Sequence, residues 1–156
     1  MRNIGIAIID DESLVRLGIK SSVAWEEYGY EIVGEADNGQ TGLEMIREKH
    51  PDIVLLDVCM PVMNGIEVLK SLQKLKIQCK VIILSCHDDF CFVKEAMKNG
   101  AFDYLRKNEI NSANILTVLE EVRHSLCKKQ DEGQGGWDSY ARHVCPVSYT
   151  HLRAHE

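Results

Sequence analysis

Residues Ile53, Val54, Leu55 and Leu56 form an unbroken branched apolar run that stops at one carboxylate, Asp57. A loop follows at once, carrying Pro61 and ending on Gly65. A short run of this kind reads as a strand buried on both faces, the signature of a parallel sheet covered by helices. Asp57 then lies at the carboxyl end of that strand, where open α/β sheets gather their ligands. A carboxylate in that position is a candidate nucleophile or metal ligand.

The pattern repeats along the chain. An apolar run at Ile4–Ile9 ends at Asp10 and Asp11, and a helix follows with Val15, Ile19 and Val23 on one stripe. Tyr30–Ala36 is a second strand, closed by the turn signal Asn38-Gly39. A second helix runs from about Gln40 to His50, with Leu43 and Ile46 inward, until Pro51 stops it. The third helix presents Ile66, Leu69 and Leu72, and the fourth strand, Val81–Leu84, ends at Ser85. The fourth helix pairs Phe92 with Ala96 and Val93 with Met97, and ends at Asn99-Gly100. A fifth strand, Phe102–Leu105, leads to Lys107, and the fifth helix carries Ile115, Val118, Leu119, Val122 and Leu126. Five strand–helix units with short links predict an α/β fold, a five-stranded parallel sheet with helices on both faces.

That topology brings Asp10, Asp11, Asp57, Ser85 and Lys107 to one edge of the sheet. Carboxylates gathered there repel one another and call for a hard cation; Mg²⁺ suits a few carboxylates and a phosphate. A lysine and a hydroxyl complete a site for a phosphoryl group. Asp57 is then the group that attacks phosphorus, with Lys107 and Ser85 holding the transferred group.

On these residues the chain resembles the receiver domain of bacterial two-component response regulators. The likeness is carried by Ile8-Ile9-Asp10-Asp11-Glu12, by Asp57 through Gly65, by Ile83-Leu84-Ser85 and by Gly100 through Lys107, and it is collinear over about residues 1–126. The resemblance implies a flavodoxin-like sheet in the order 2-1-3-4-5. It implies that Asp57 is the phosphoacceptor and that Mg²⁺ is the cofactor, held by Asp10, Asp11, Asp57 and the backbone carbonyl of Cys59. Ser85 matches the switch hydroxyl, Tyr104 the switch aromatic, and Lys107 the lysine that pairs with the phosphoryl group. The implied partner is a sensor histidine kinase, with a homodimer through the face of helix four, strand five and helix five. Such a domain catalyses only its own phosphorylation and dephosphorylation and is not otherwise an enzyme. The family often has proline after the lysine; here Asn108 follows, so a trans bond and a different lead-in to helix five are expected. Two other readings are a binding module independent of phosphorylation and a Mg²⁺-dependent phosphatase with an aspartyl nucleophile. Cys59 stands where the phosphatases usually carry a second acid, and the chain has little length for a substrate cap.

Asp88 through Leu105 is similar to receivers fused to AraC-type DNA-binding regions, which implies transcription control in a longer protein, with DNA contacted only through a C-terminal domain. The net charge of −6 argues against nucleic-acid binding by this chain itself. The sequence shows neither a secretory signal nor a run near the roughly 20 apolar residues of a membrane span, so a cytoplasmic location is expected. The six cysteines (Cys59, Cys79, Cys86, Cys91, Cys127 and Cys145) lie in or beside core-like segments without paired spacing and read as reduced thiols. Cys59, Cys86, His87 and Cys91 match no common zinc spacing; Cys59 and His87 read instead as neighbours of the phosphoryl site that tune its lifetime. Beyond residue 126 periodicity is lost, and Gln130 through Gly136 reads as a linker. Residues 127–156 are expected to hold no folded domain. The last ten, Val147 through Glu156, resemble a translated sequencing adapter, the expected end of a truncated reading frame.

Overall fold

The structure is a computed structural model that describes residues 3–86 and 90–132. Its elements are β1 (Ile4–Ile9), α1 (Ser13–Ser22), β2 (Tyr30–Ala36), α2 (Gly39–Lys49), β3 (Ile53–Asp57), α3 (Gly65–Lys74), β4 (Lys80–Ser85), α4 (Phe90–Lys98), β5 (Asp103–Arg106) and α5 (Ser112–Glu132). All strand pairs are parallel, and the sheet order is β2-β1-β3-β4-β5. The expected order is therefore the observed one.

Strand alternation divides the core. Ala7, Ile9, Val54, Leu56, Val81 and Ile83 point to one face, where they join Leu43 and Ile46 of α2, four residues of α3 and Ala96 of α4 in one apolar cluster. Their neighbours Ile6, Ile8, Ile53, Leu55, Ile82 and Leu84 point the other way and are just as buried. Crossovers between parallel strands are right-handed. The step from β1 to β2 runs opposite to the other three, which puts α1, with buried Ile19, on that second face.

The chain divides into two compact units, Met1–Leu116 and Thr117–Glu156. In the first, α5 begins with buried Ile115; in the second, it continues with buried Leu119 and Val122. Val118 and Leu126 are half-buried.

Several expectations need correction. Asn38-Gly39 is a helix start: the Asn38 side chain accepts the Thr41 N–H at 2.9 Å and caps α2. A 3₁₀ turn at Trp25–Tyr28, too short to carry a period, separates α1 from β2 and buries Trp25. Helix α4 buries only Ala96; Phe92 and Met97 are exposed, because this nine-residue helix turns just a narrow stripe inward. Of the described cysteines, Cys59, Cys86, Cys91 and Cys127 are exposed, beside the core rather than in it, and Cys79 is half-buried. None of the five described cysteines is in a disulfide. Helix α5 runs through Glu132, so Gln130, Asp131 and Glu132 are helical; nothing in their polarity ends a helix. His87, Asp88, Asp89, Cys145 and the adapter-like tail lie outside the described residues.

Candidate phosphoryl-acceptor site

The site is built on strand ends. Asp10 follows β1, Asp57 closes β3 and Ser85 closes β4; all three are buried, unlike the rest of the polar surface. In register, Asp57 pairs with Leu84, so Ser85 stands one step beyond it on the adjacent strand. Asp57 Oδ1 accepts the Cys59 N–H at 3.3 Å. The loop after Asp57 turns back sharply: the Gly65 N–H donates to the Val58 carbonyl at 2.8 Å. A Cβ on Gly65 would stand 2.5 Å from the Asp57 carbonyl oxygen, so only glycine permits this approach. Asn64 and Glu67 then close a capping box on α3.

Lys107 joins the pieces. Its ammonium lies 2.9 Å from Asp10 Oδ2, 3.1 Å from Asp57 Oδ2 and 3.2 Å from Glu12 Oε1. The Lys107–Asn108 bond is trans, and Lys107–Glu109 forms a 3₁₀ turn before α5. Burial favours the neutral amine, but the Asp10 and Asp57 carboxylates outweigh it and hold the ammonium above its ordinary pKa. One cation does not neutralise its neighbours. Burial, then the charge of Asp10, push Asp57 up to about 7 against the pull of Lys107. Burial also raises Asp10, against a hydrogen bond from the Glu12 N–H at 2.8 Å and the pull of Lys107.

The donor set fits a hard divalent cation. Ligand oxygens of Asp10, Asp11 and Glu12 converge within 4.8 Å of one another. Asp10 Oδ2 is buried, and its close partner among the described residues is the Lys107 ammonium at 2.9 Å, which Asp57 and Glu12 share. A buried carboxylate oxygen that shares one ammonium with two other carboxylates, beside further acidic oxygens, is a donor set of the kind Mg²⁺ takes. Asp10, Asp11, Asp57 and Lys107 are thus brought together as expected. Glu12 joins them, although the sequence marked it only as part of the motif. Tyr104 is half-buried and packs against the cluster between the sheet and α2–α4. Arg16 was not foreseen: it donates to the Asp10 carbonyl from Nη1 and to Glu35 Oε1 from Nε at 2.8 Å.

The profile of the response regulator receiver domain matches residues 6–120. The chain belongs to that family. Among curated relatives, the receiver is 38% identical over 126 residues to the uncharacterized transcriptional regulatory protein YesN of Bacillus subtilis, covering 81% of this chain and 34% of YesN. It is 32% identical over 127 residues to the transcriptional regulatory protein HptR of Staphylococcus aureus, covering 81% of this chain and 49% of HptR. The chain thus spans half or less of the length of these relatives. Among solved structures, the receiver domain of AraT, a response regulator from Geobacillus stearothermophilus, superposes with a TM-score of 0.75 at 30% identity, covering 81% of this chain and 97% of that one. A two-component transcriptional regulator AraC from Clostridium phytofermentans gives 0.72 at 30% identity, covering 82% and 98%. Among the described residues of this receiver, no helix is long and apolar enough to cross a membrane.

Proposed function

We infer that this receiver, spanning residues 1–126, accepts a phosphoryl group on Asp57 from a phosphohistidine of a sensor histidine kinase. The observation that carries this is a carboxylate at a strand end, raised by burial and then by Asp10, and still reached by a lysine at 3.1 Å. An Asp57 oxygen attacks phosphorus as the bond from phosphorus to the histidine nitrogen breaks. The nitrogen keeps that electron pair and leaves as neutral imidazole, because its other ring nitrogen has first taken a proton from solvent, and the Asp57 carboxylate becomes an acyl phosphate. Lys107 balances charge on the phosphoryl oxygens, and the Ser85 hydroxyl donates to them. Asp10, Asp11, Asp57 and the Cys59 carbonyl would hold Mg²⁺. When bound, it supplies positive charge where carboxylate and phosphoryl group meet.

The readout is a population shift. Ser85 turns toward the phosphoryl group, and Tyr104 fills the space it vacates. The surface of α4 and β5, where Phe90, Phe92 and Met97 are exposed, then changes its contacts with partners. The named relatives are transcriptional regulators longer than this chain, which supports an output through a C-terminal DNA-binding region.

Incubation with Mg²⁺ and a small acyl-phosphate donor, read by intact mass, tests the reading. One phosphoryl adduct, absent in Asp57→Asn, is expected. An adduct that persists in Asp57→Asn, turnover without any adduct, or no reaction contradicts it.

A further inference from the structure

The turn that carries Asp10 and Asp11 is held from outside the site. The Asp10 N–H donates to the Ala36 carbonyl at the end of β2, at 3.1 Å. The Asp10 carbonyl is held by Arg16 Nη1. Arg16 stands in the first turns of α1, and helical side chains lean toward the N-terminus, so its guanidinium reaches back past the start of the helix to Asp10. Its Nε meets Glu35 Oε1 at 2.8 Å, one residue before Ala36, and Lys20 holds the other Glu35 oxygen. The Arg16 side chain is only 16% exposed. Both peptide groups flanking the Asp10 Cα are therefore tied to the end of β2, one directly and one through a planar fork. That fork fixes the peptide plane between Asp10 and Asp11, and with it the direction in which the two side chains leave the backbone.

We propose that Arg16 is a positioning residue that sets the Mg²⁺ affinity of this receiver by clamping the Asp10 carbonyl to Glu35. Its polar contacts among the described residues are the Asp10 carbonyl and Glu35, not the carboxylate oxygens of the site. This rests on the reading of the acidic turn as a Mg²⁺ site. Charge and position make opposite predictions. A guanidinium near a metal site repels the ion, so its removal would tighten binding if charge were all that mattered. Loss of the clamp loosens binding instead, as loss of an outer hydrogen-bond partner does at other metal sites.

The test is calorimetric titration of Mg²⁺ into the wild-type chain, Arg16→Met, Arg16→Lys and Glu35→Ala, with melting points in chelator. The clamp predicts that the Mg²⁺ Kd rises about tenfold in Arg16→Met. Arg16→Lys keeps the charge but replaces the fork with one ammonium, and a smaller rise of about threefold is expected. Glu35→Ala, which frees the guanidinium, also weakens binding. The half-saturating Mg²⁺ for phosphorylation moves in step, while the rate at saturating Mg²⁺ stays within about twofold of wild type. Unchanged or tighter Mg²⁺ binding in Arg16→Met overturns the proposal, even where the melting point falls, since that is the outcome of a structural role alone. Should Arg16→Met not fold, the Kd of Arg16→Lys decides. Wild-type protein that takes up no Mg²⁺ removes both this inference and the reading beneath it; wild-type uptake with unchanged variants removes this inference alone.

Discussion

Strand β3 has an aspartate at each end, and the two lead opposite lives. Asp52, just before the strand, is fully employed in holding neighbours together. Its Oδ2 accepts the Gly5 N–H at 2.9 Å, its own N–H donates to the Gly5 carbonyl, and its carbonyl accepts the Lys80 N–H. It stitches β1, β3 and β4 at their starts. Asp57, at the other end, shares one lysine with Asp10 and Glu12 and is pushed up to about 7 by burial and by Asp10. A satisfied carboxylate stabilises a fold; a crowded, buried one costs it stability. The same strand therefore separates structure from chemistry by the number of donors at each end.

The largest way to break this contrast is through pH. Asp57 in the folded, metal-free chain holds its proton up to about 7, above its unfolded value of 3.8. The folded state binds the proton more tightly, so stability is lowest above pH 7 and rises as pH falls toward 4. Raised Asp10 acts in the same direction. Glu35 acts oppositely, because Lys20 and Arg16 lower it; its contribution is present above its unfolded value of 4.5 and is lost only at more acid pH. Urea melts between pH 8 and 5 without metal should show a gain on the order of 2 kcal/mol, flattened in Asp57→Asn. A stability that falls over that range contradicts the account.

Gly65→Ala sharpens the comparison from the backbone side. Its Cβ would press on the Asp57 carbonyl, and such overpacking costs roughly 1–3 kcal/mol. The melting point and the phosphorylation rate should fall together, since the same loop carries Asp57 and Cys59. Asp52→Ala leaves the Gly5 N–H without its acceptor and costs about 1–2 kcal/mol. Its phosphorylation should be that of wild type, which separates the two ends of β3 in one pair of measurements. The smallest effect is expected at Val62, exposed and at φ 69, a left-handed conformation that a β-branched residue adopts at a cost. Val62→Gly should stabilise the metal-free chain by up to about 1 kcal/mol in the same melts.

Much of this was legible in the sequence. Apolar runs that stop at Asp10, Asp57 and Ser85 mark the strands, and short links imply the parallel topology, so the residues of the site can be assembled on paper. What escapes is whatever lacks local periodicity. The clamp from Arg16 to Glu35 joins residues 19 apart that look like ordinary surface charges, and only the packing of α1 beside β2 brings them together. The 3₁₀ turn at Trp25–Tyr28 is a single turn with no repeat to detect. In α4, apolar residues lie on both the buried and the exposed side, so the pairs Phe92–Ala96 and Val93–Met97 do not tell which member is inward; Ala96 is the one buried. Helix α5 outlasts its expected end because the glycines after Glu132 lend Gln130, Asp131 and Glu132 the look of a linker.

The most direct test of the central claim, that the crowded carboxylates await a cation, is calorimetric titration of Mg²⁺ at pH 7 in two buffers of different ionisation enthalpy. With Asp57 raised to about 7 by burial and by Asp10, binding should release protons, and that release should shrink in Asp57→Asn. No uptake of Mg²⁺, or uptake with no proton release from the wild-type chain, would contradict it.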